Sequence, residues 1–293
     1  ETIKSSYVQA YGATFLPTMP TDKRKYGEGG NPETGKKIYN KSCLHCHSSG
    51  RVTNLKLDHS SLTGGMFWRN IKKTKRIQLI GGETFLIKQN IQILERCVEE
   101  GWAKDKKLFI FSNNYGYPKM EKIKELLSHF EKVHYKCSME LWGPKNDYIR
   151  FPSKWEEVER NIRLIDSLPN VNIGFAMTLN PISIGYVDEA MRAGEEFGIE
   201  PSYFNVTRPR WFTLKSLPDD VRDFYLDRLY AQDFKMIQKC TKAIEYLEKR
   251  EFDQSLYEEM IVRIKARDKL RNDNILNYFP EWSAHFKGEY YGN

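Results

Sequence analysis

The stretch RIQLIGGETFL, residues 76–86, decides the fold, because a short apolar strand runs directly into two glycines and a carboxylate. The amphipathic segment 87–101 follows with a helical period, and the next apolar strand, KLFIFSNN, begins at Lys107. A strand, a helix and a second strand in this order form a βαβ unit with parallel strands. The stretch therefore predicts an α/β protein with a parallel sheet.

The same alternation continues along the chain. Further strands are predicted at 132–141, 171–179 and 201–206, and helices at 119–130, 155–168 and 182–198. The βα steps are regularly spaced and no GxGxxG opens the first helix, so a dinucleotide-binding half-fold is disfavoured. A parallel barrel, or part of one, fits this pattern better.

The flanking regions differ from this central part. Residues 1–75 form a basic N-terminal segment with 13 Lys/Arg against 5 Asp/Glu, whereas the remainder has 33 against 34. Two long helical runs, 221–250 and 255–274, predict a helical C-terminal extension. We therefore predict three regions: the N-terminal segment 1–75, a partial α/β barrel at 76–218, and the extension at 219–293.

The bulk composition narrows the class of protein. Apolar residues make up 40% of the 293 residues, which is enough for a substantial core. The mean hydropathy is −0.64, and no apolar run approaches the ~20 residues of a membrane span. The basic N-terminal segment is best explained by a solvated surface, so nucleic acid is not an expected partner.

Polar residues gather where the predicted strands end. Ligands bind at the carboxyl ends of strands in parallel α/β folds, so the residues at these positions are candidate site residues. They are Gly81, Gly82 and Glu83, then Ser112, Asn113 and Asn114, then Ser138 and Glu140, and then Thr178 and Asn180. Two glycines let a backbone approach a ligand, and a carboxylate can bind an ammonium group. Gly81, Gly82 and Glu83 are explained equally well by a tight turn that places Glu83 near the N-terminus of a helix.

A second motif, CLHCH at residues 43–47, fits two metal chemistries. As CxxCH it is typical of covalent haem attachment, with Cys43 and Cys46 bonded to the vinyl groups and His47 as an axial iron ligand. With the preceding residues it also fits an iron–sulfur loop of the form CxxxCxxC, except that Tyr39 stands in place of the first cysteine. The motif alone does not decide between them.

The order RIQLIGGETFL, LFIFSNN, YIRFPSKWEEVERNIRLI, VNIGFAMTLNP and RDKLRNDNILNYFPEW resembles the radical S-adenosylmethionine (SAM) enzymes, over about residues 76–285. The closest resemblance is to their twitch-domain subgroup. It implies a partial (β/α)6 barrel, a [4Fe–4S] cluster and SAM, an electron donor such as flavodoxin or ferredoxin, a small-molecule or peptide substrate, and a cytoplasmic protein. It assigns the cluster ligands to Cys43 and Cys46. It also implies two sets of residues that contact SAM. At the amino group these are Gly81, Gly82 and Glu83. Near the methionine or ribose end they are Ser112, Asn113, Ser138 and Glu140.

Tyr39 departs from the family pattern, since an open cluster needs three thiolates. Cys97 and Cys137, on a predicted helix and strand, are expected to be small buried residues rather than the missing ligand. Residues 30–70 alternatively resemble the opening helix and haem site of a c-type cytochrome. That resemblance implies covalently bound haem c, electron transfer and a periplasmic location. A non-catalytic barrel that has lost its cluster is the third alternative.

Overall fold

The computed structural model describes residues 65–79, 83–117 and 119–286. Within them the predicted strand–helix alternation is confirmed as an α/β fold with one parallel sheet, whose strands lie side by side in sequence order. The strands are β1 Arg76–Leu79, β2 Lys107–Ser112, β3 Lys132–Met139, β4 Val171–Leu179 and β5 Ser202–Asn205. Sequential parallel order is the arrangement of a partial (β/α) barrel.

Helices follow the strands in the same region. Their bounds are α1 Gly65–Lys73, α2 Lys88–Glu99, α3 Met120–Ser128, α4 Lys145–Ile149, α5 Trp155–Asp166 and α6 Val187–Glu196. The helix predicted from residue 182 begins later, because Ile184–Tyr186 forms a separate 3-10 turn. The short helix α4 was not predicted, since five residues are too few for a helical period to show.

The two faces of the sheet differ in polarity. Strand β2 alternates between buried and half-exposed residues, with Leu108, Ile110 and Ser112 on the buried face. The register continues that face across the sheet, because Ser112 pairs with Cys137. The buried face packs against apolar residues of the helices, including Ile93 of α2, in one core. The opposite face carries partly or fully exposed polar residues: Arg76, Lys107, Lys132, His134 and Lys136.

Three helices form the predicted C-terminal extension: α7 Asp219–Tyr230, α8 Phe234–Glu248 and α9 Gln254–Arg271. The run 221–250 was predicted as continuous and is instead two helices. The break has a local cause, because Asp233 caps α8 by accepting a hydrogen bond from Met236 N at 3.0 Å. The remaining short 3-10 turns lie at 103–105, 210–212, 214–216, 275–277 and 280–282.

The extension is fastened to the sheet region through Tyr225 of α7. Its hydroxyl donates to Ile182 O at 3.1 Å and accepts from Trp282 Nε1 at 3.0 Å. Gly185 allows the close packing, since a Cβ added there would lie 2.1 Å from Tyr225 Cδ1. The extension and the strands thus share one core. The three-way division of the chain stays a prediction, and residues 1–64 lie outside the described residues. None of the described helices is both long enough and apolar enough to cross a membrane.

Candidate functional site

The polar residues predicted at the strand ends do lie at one edge of the sheet. Ser112 is the last residue of β2, Ser138 is the next to last of β3, and Asn180 follows β4 directly. Glu83 comes four residues after the end of β1. All four strands are parallel neighbours, so these residues share the carboxyl edge, which we call the rim.

Glu83 is held at the rim by backbone donors from two segments. Its Oε1 accepts from Thr84 N at 3.0 Å, and its Oε2 accepts from Asn113 N at 2.9 Å. Thr84 in turn donates its hydroxyl to Phe111 O at 2.6 Å, which joins the segment after β1 to the end of β2. The carboxylate therefore has a fixed position between two strand ends.

Burial raises the pKa of Glu83 from 4.5 to about 7. Four neighbouring groups lower the pKa of Glu83, but the effect of burial is larger. They are the Asn113 N–H, the Ser112 hydroxyl, the charge of Arg150 and the Thr84 N–H. A carboxyl group with such a pKa at a strand edge is a candidate functional group. Near neutral pH it is poised between its protonated and ionised forms.

Ser112 belongs to a buried hydrogen-bond network rather than to an open surface. Its Oγ lies 2.7 Å from Tyr117 Oη and accepts from Asn114 N at 2.9 Å. Tyr135 donates its hydroxyl to Asn114 Oδ1 at 2.8 Å, and Asn161 of α5 donates to Asn114 O at 2.9 Å. Asn114 has φ 61°, a left-handed conformation that Asn tolerates better than most residues. The network fixes the turn after β2 and so the position of Asn113.

Glu140 is almost fully buried and forms an ion pair with Arg150. Arg150 Nη2 donates to Glu140 Oε1 at 2.9 Å, and its Nε donates to Oε2, so both carboxylate oxygens are engaged. Burial raises the pKa of Glu140, and Arg150 opposes that rise. Asn146 Oδ1 accepts from the backbone N–H groups of Glu140 and Leu141 at 3.1 and 3.3 Å, which fixes α4 against the end of β3.

Arg150 is the rim residue that the sequence reasoning missed. It lies ten positions beyond Glu140, on the far side of α4, and no periodic pattern links the two.

Two other predicted rim residues are buried. Ser138 is nearly buried, and by the register it lies on the face of the sheet opposite Ser112. Asn180 is fully buried, and its Oδ1 accepts from the backbone N–H groups of residues 182 and 183, so it serves the turn after β4.

The described residues do not supply a site for an iron–sulfur cluster. In that part of the chain no group of three or more His, Cys, Asp or Glu residues is placed to hold a metal. Cys97, Cys137 and Cys240 are buried in the core, and burial raises their pKa values to about 11, 12 and 12, so they remain thiols. The expectation that Cys97 and Cys137 are small core residues is confirmed. Gly81 and Gly82, and the motif residues Cys43, Cys46 and His47, lie outside the described residues.

Comparisons with known proteins find only distant similarity. No protein-family model matches the chain, and no curated protein matches it. The chain is similar to three solved structures of native anSMEcpe: with bound AdoMet, with bound AdoMet and the Cp18Cys peptide, and with bound AdoMet and the Kp18Cys peptide.

The similarity to these structures is low by every measure. Sequence identity is 16, 15 and 13%, and the TM-scores are 0.40, 0.37 and 0.36. The matches cover 63, 55 and 70% of this chain, and 51, 49 and 51% of the other chains, so this chain spans about half their length. TM-scores this low assign neither a family nor an activity. The twitch-subgroup and haem predictions stay predictions.

Proposed function

We propose that the rim binds SAM and that the protein is a radical SAM-type enzyme acting on a small-molecule or peptide substrate. The position and the pKa of Glu83 are the main support for this proposal. Its carboxyl group is fixed by Thr84 N and Asn113 N at the carboxyl edge of the sheet, with a pKa raised to about 7 by burial. An ammonium group placed there would stabilise the ionised form and recover much of the cost of its desolvation.

Opposite charges at the rim favour a zwitterionic ligand. Arg150 is close enough to Glu83 to lower the pKa of that carboxyl group. The guanidinium uses Nε and Nη2 for Glu140, which leaves Nη1 for a further acceptor. Glu83 for an ammonium group and Arg150 for a carboxylate match the amino-acid half of SAM.

The other predicted contacts take different roles in this proposal. Gly81 and Gly82 allow the backbone before Glu83 to approach the ligand, and Asn113 and Ser138 line the methionine or ribose end. Ser112 and Glu140 act as positioning residues, because their side chains are engaged with Tyr117 and Arg150. The proposed cluster ligands are Cys43 and Cys46. A cluster held by these residues and reduced by a donor such as flavodoxin or ferredoxin would supply the electron for the reductive cleavage of SAM.

Calorimetry with two ligands tests the assignment of Glu83. SAM carries the amino-acid half, whereas 5′-methylthioadenosine lacks it. We expect Glu83→Gln to weaken SAM binding by about 30-fold, equivalent to ~2 kcal/mol, with little effect on 5′-methylthioadenosine. Glu200→Gln, at an exposed position before β5, is the matched control and should bind both ligands like the wild type. Equal SAM affinity in the Glu83 variant and the wild type would remove the basis of the proposal.

A second measurement separates the alternatives at residues 43–47. Absorption spectra of the full chain, purified without oxygen, are combined with iron and sulfide counts. A broad shoulder near about 400 nm with sulfide supports a cluster, and sharp Soret and α bands support haem. A colourless protein that still binds SAM supports the barrel without a cluster.

A further inference from the structure

Two arginines at the end of α9 form a cationic pair that the mechanism proposed above does not use. Arg267 and Arg271 are one helical turn apart. The Arg267 side chain is only 9% exposed, and its Nε and Nη2 atoms are buried. Neither atom has a hydrogen-bond partner in the described structure. Buried donors normally have acceptors, so unsatisfied nitrogens on a buried cation call for an explanation.

The nearest carboxylate does not satisfy Arg267. Asp268 Oδ1 lies 3.8 Å from Arg267 Nε, which is too far for a hydrogen bond. Both Asp268 oxygens have other donors: Oδ1 accepts from the Tyr148 hydroxyl at 2.7 Å, and Oδ2 accepts from Ile275 N at 2.9 Å. Asp268 thus anchors Tyr148 and the segment after α9, and it leaves the guanidinium short of acceptors.

Arg271 is similarly short of acceptors. Within the described residues, its Nη1 donates a hydrogen bond to the backbone carbonyl oxygen of Tyr148 at 3.3 Å, and this acceptor carries no charge. Burial and the charge of Arg267 together lower the pKa of Arg271 to about 10, although Tyr148, Asp268 and Asp273 act in the opposite direction. The Oδ1 of Asp273 accepts from the backbone of the next residue at 2.8 Å. The two guanidinium groups therefore repel each other where acceptors are scarce.

An aromatic ring lies against each guanidinium group. Arg267 Cζ lies 4.3 Å from the centroid of the Tyr148 ring, and Arg271 Cζ lies 4.5 Å from that of Phe151. A cation over the face of an aromatic ring is attracted by the ring without a hydrogen-bond acceptor, so these contacts do not replace acceptors for the N–H donors. Phe151 is 49% exposed, so one wall of the pair reaches the surface.

The pair lies on the same side of the sheet as the rim. Tyr148 belongs to α4, within the connection that leaves the carboxyl end of β3. That connection also carries Arg150, two residues further on, which pairs with Glu140. A ligand group held by the arginine pair would therefore lie near the proposed SAM site.

We propose that Arg267 and Arg271 bind an oxyanion group, a carboxylate or a phosphate, of the enzyme's substrate. Two guanidinium groups one helical turn apart provide several N–H donors, and carboxylate and phosphate oxygens are good acceptors for such donors. The anion site stands on the observations above alone. Its identification as a substrate site rests on the proposed function of the rim.

Thermal unfolding of the full chain tests the anion site without any cofactor. Sodium phosphate and sodium succinate are each compared with sodium chloride at equal ionic strength. An anion present at roughly 20 times its Kd should raise the Tm of the wild type by about 4 °C relative to chloride. An effect of phosphate alone identifies a phosphoryl group, and an effect of succinate alone identifies a carboxylate. No effect of either anion beyond that of chloride overturns the proposal.

Three variants assign the effect to the pair. Arg267→Met keeps the length of the side chain and removes the charge, and we expect it to abolish the anion-dependent rise without lowering the Tm in chloride. Arg271→Gln, at a more exposed position, keeps the test decisive if the first variant does not fold. Arg263→Gln is the control, because Arg263 lies on the same helix and pairs with Glu259 on the surface. An unchanged rise in both pair variants overturns the assignment.

SAM calorimetry on Arg267→Met distinguishes this proposal from that for the rim. If SAM binds the variant and the wild type within about twofold, the pair is separate from the SAM site. Anion binding without SAM binding in the wild type would leave the anion site standing and reject the rim function. SAM binding without anion binding would support the rim function and reject the anion site.

Discussion

Replacing Glu83 by Gln should remove a loss of stability that the ligand-free protein suffers as the pH rises, although the residue is central to the proposed site. Gln has nearly the shape of a protonated Glu and cannot ionise. The variant therefore represents the protein with Glu83 held neutral. Any difference in stability that changes with pH reports the cost of ionising the carboxyl group in place.

The pKa of Glu83 fixes the sign and the size of the effect. Between pH 4.5 and about 7 the folded state keeps a proton that the unfolded state has lost, so wild-type stability falls as the pH rises through this window. The shift from 4.5 to about 7 corresponds to about 3 kcal/mol. Glu83 is only partly buried, so solvent screening should reduce the measurable effect to about 2 kcal/mol.

Urea unfolding of the wild type, Glu83→Gln and Glu200→Gln at several pH values measures this effect. We expect the stability of Glu83→Gln relative to the wild type to rise by about 2 kcal/mol between pH 4.5 and pH 8. The Gln amide nitrogen cannot accept from one of the two backbone N–H groups, which adds a cost that does not depend on pH. Saturating SAM should stabilise the wild type more than the variant, because the ligand's ammonium group then compensates the carboxylate. A difference in stability that does not change with pH, or one that changes in favour of the wild type as the pH rises, would refute the argument. It would mean that the N–H donors outweigh the effect of burial on the pKa of Glu83.

Other perturbations test neighbouring parts of the structure. Arg150→Met should leave Glu140 buried without its cation and lower the free energy of unfolding by about 3 kcal/mol or more in urea, whereas an unchanged midpoint would mean that the pair is not formed. Gly185→Ala should lower the stability by about 1–3 kcal/mol, because the added Cβ would meet the Tyr225 ring at 2.1 Å; thermal unfolding measures this, and an unchanged Tm would contradict the packing. Tyr39→Cys should improve anaerobic iron–sulfur loading if the iron–sulfur alternative is right, and iron and sulfide counts that match the wild type would count against it.

The sheet and its rim were predictable from sequence because local patterns determine them. Apolar runs such as that of β2 end abruptly in polar residues, and parallel strands bring all such ends to one edge. The burial of Ser112 could also have been predicted. In KLFIFS it has the same parity as Leu108 and Ile110, so it belongs to the buried face. The break before α8 had a signal too, since Asp233 is a favourable N-cap.

The charged contacts were beyond prediction because tertiary packing creates them. Arg150 reaches Glu140 only after α4 has folded back, and a helix of five residues shows no periodicity. Arg267 meets Tyr148 across about 120 positions of sequence, a separation at which no spacing rule operates. The raised pKa of Glu83 is also a tertiary effect, since burial by surrounding elements is its largest cause.

The short helix α4 links the two proposed sites. Asn146 fixes its start to the end of β3, through hydrogen bonds from the backbone N–H groups of Glu140 and Leu141. Tyr148 then faces the arginine pair of α9, and Arg150 faces the rim. One segment, anchored to one strand end, therefore carries a contact for each site. The distance and angle between a ligand at the rim and an oxyanion at the arginine pair would be set by α4, and such fixed geometry is what a reaction between two bound molecules needs.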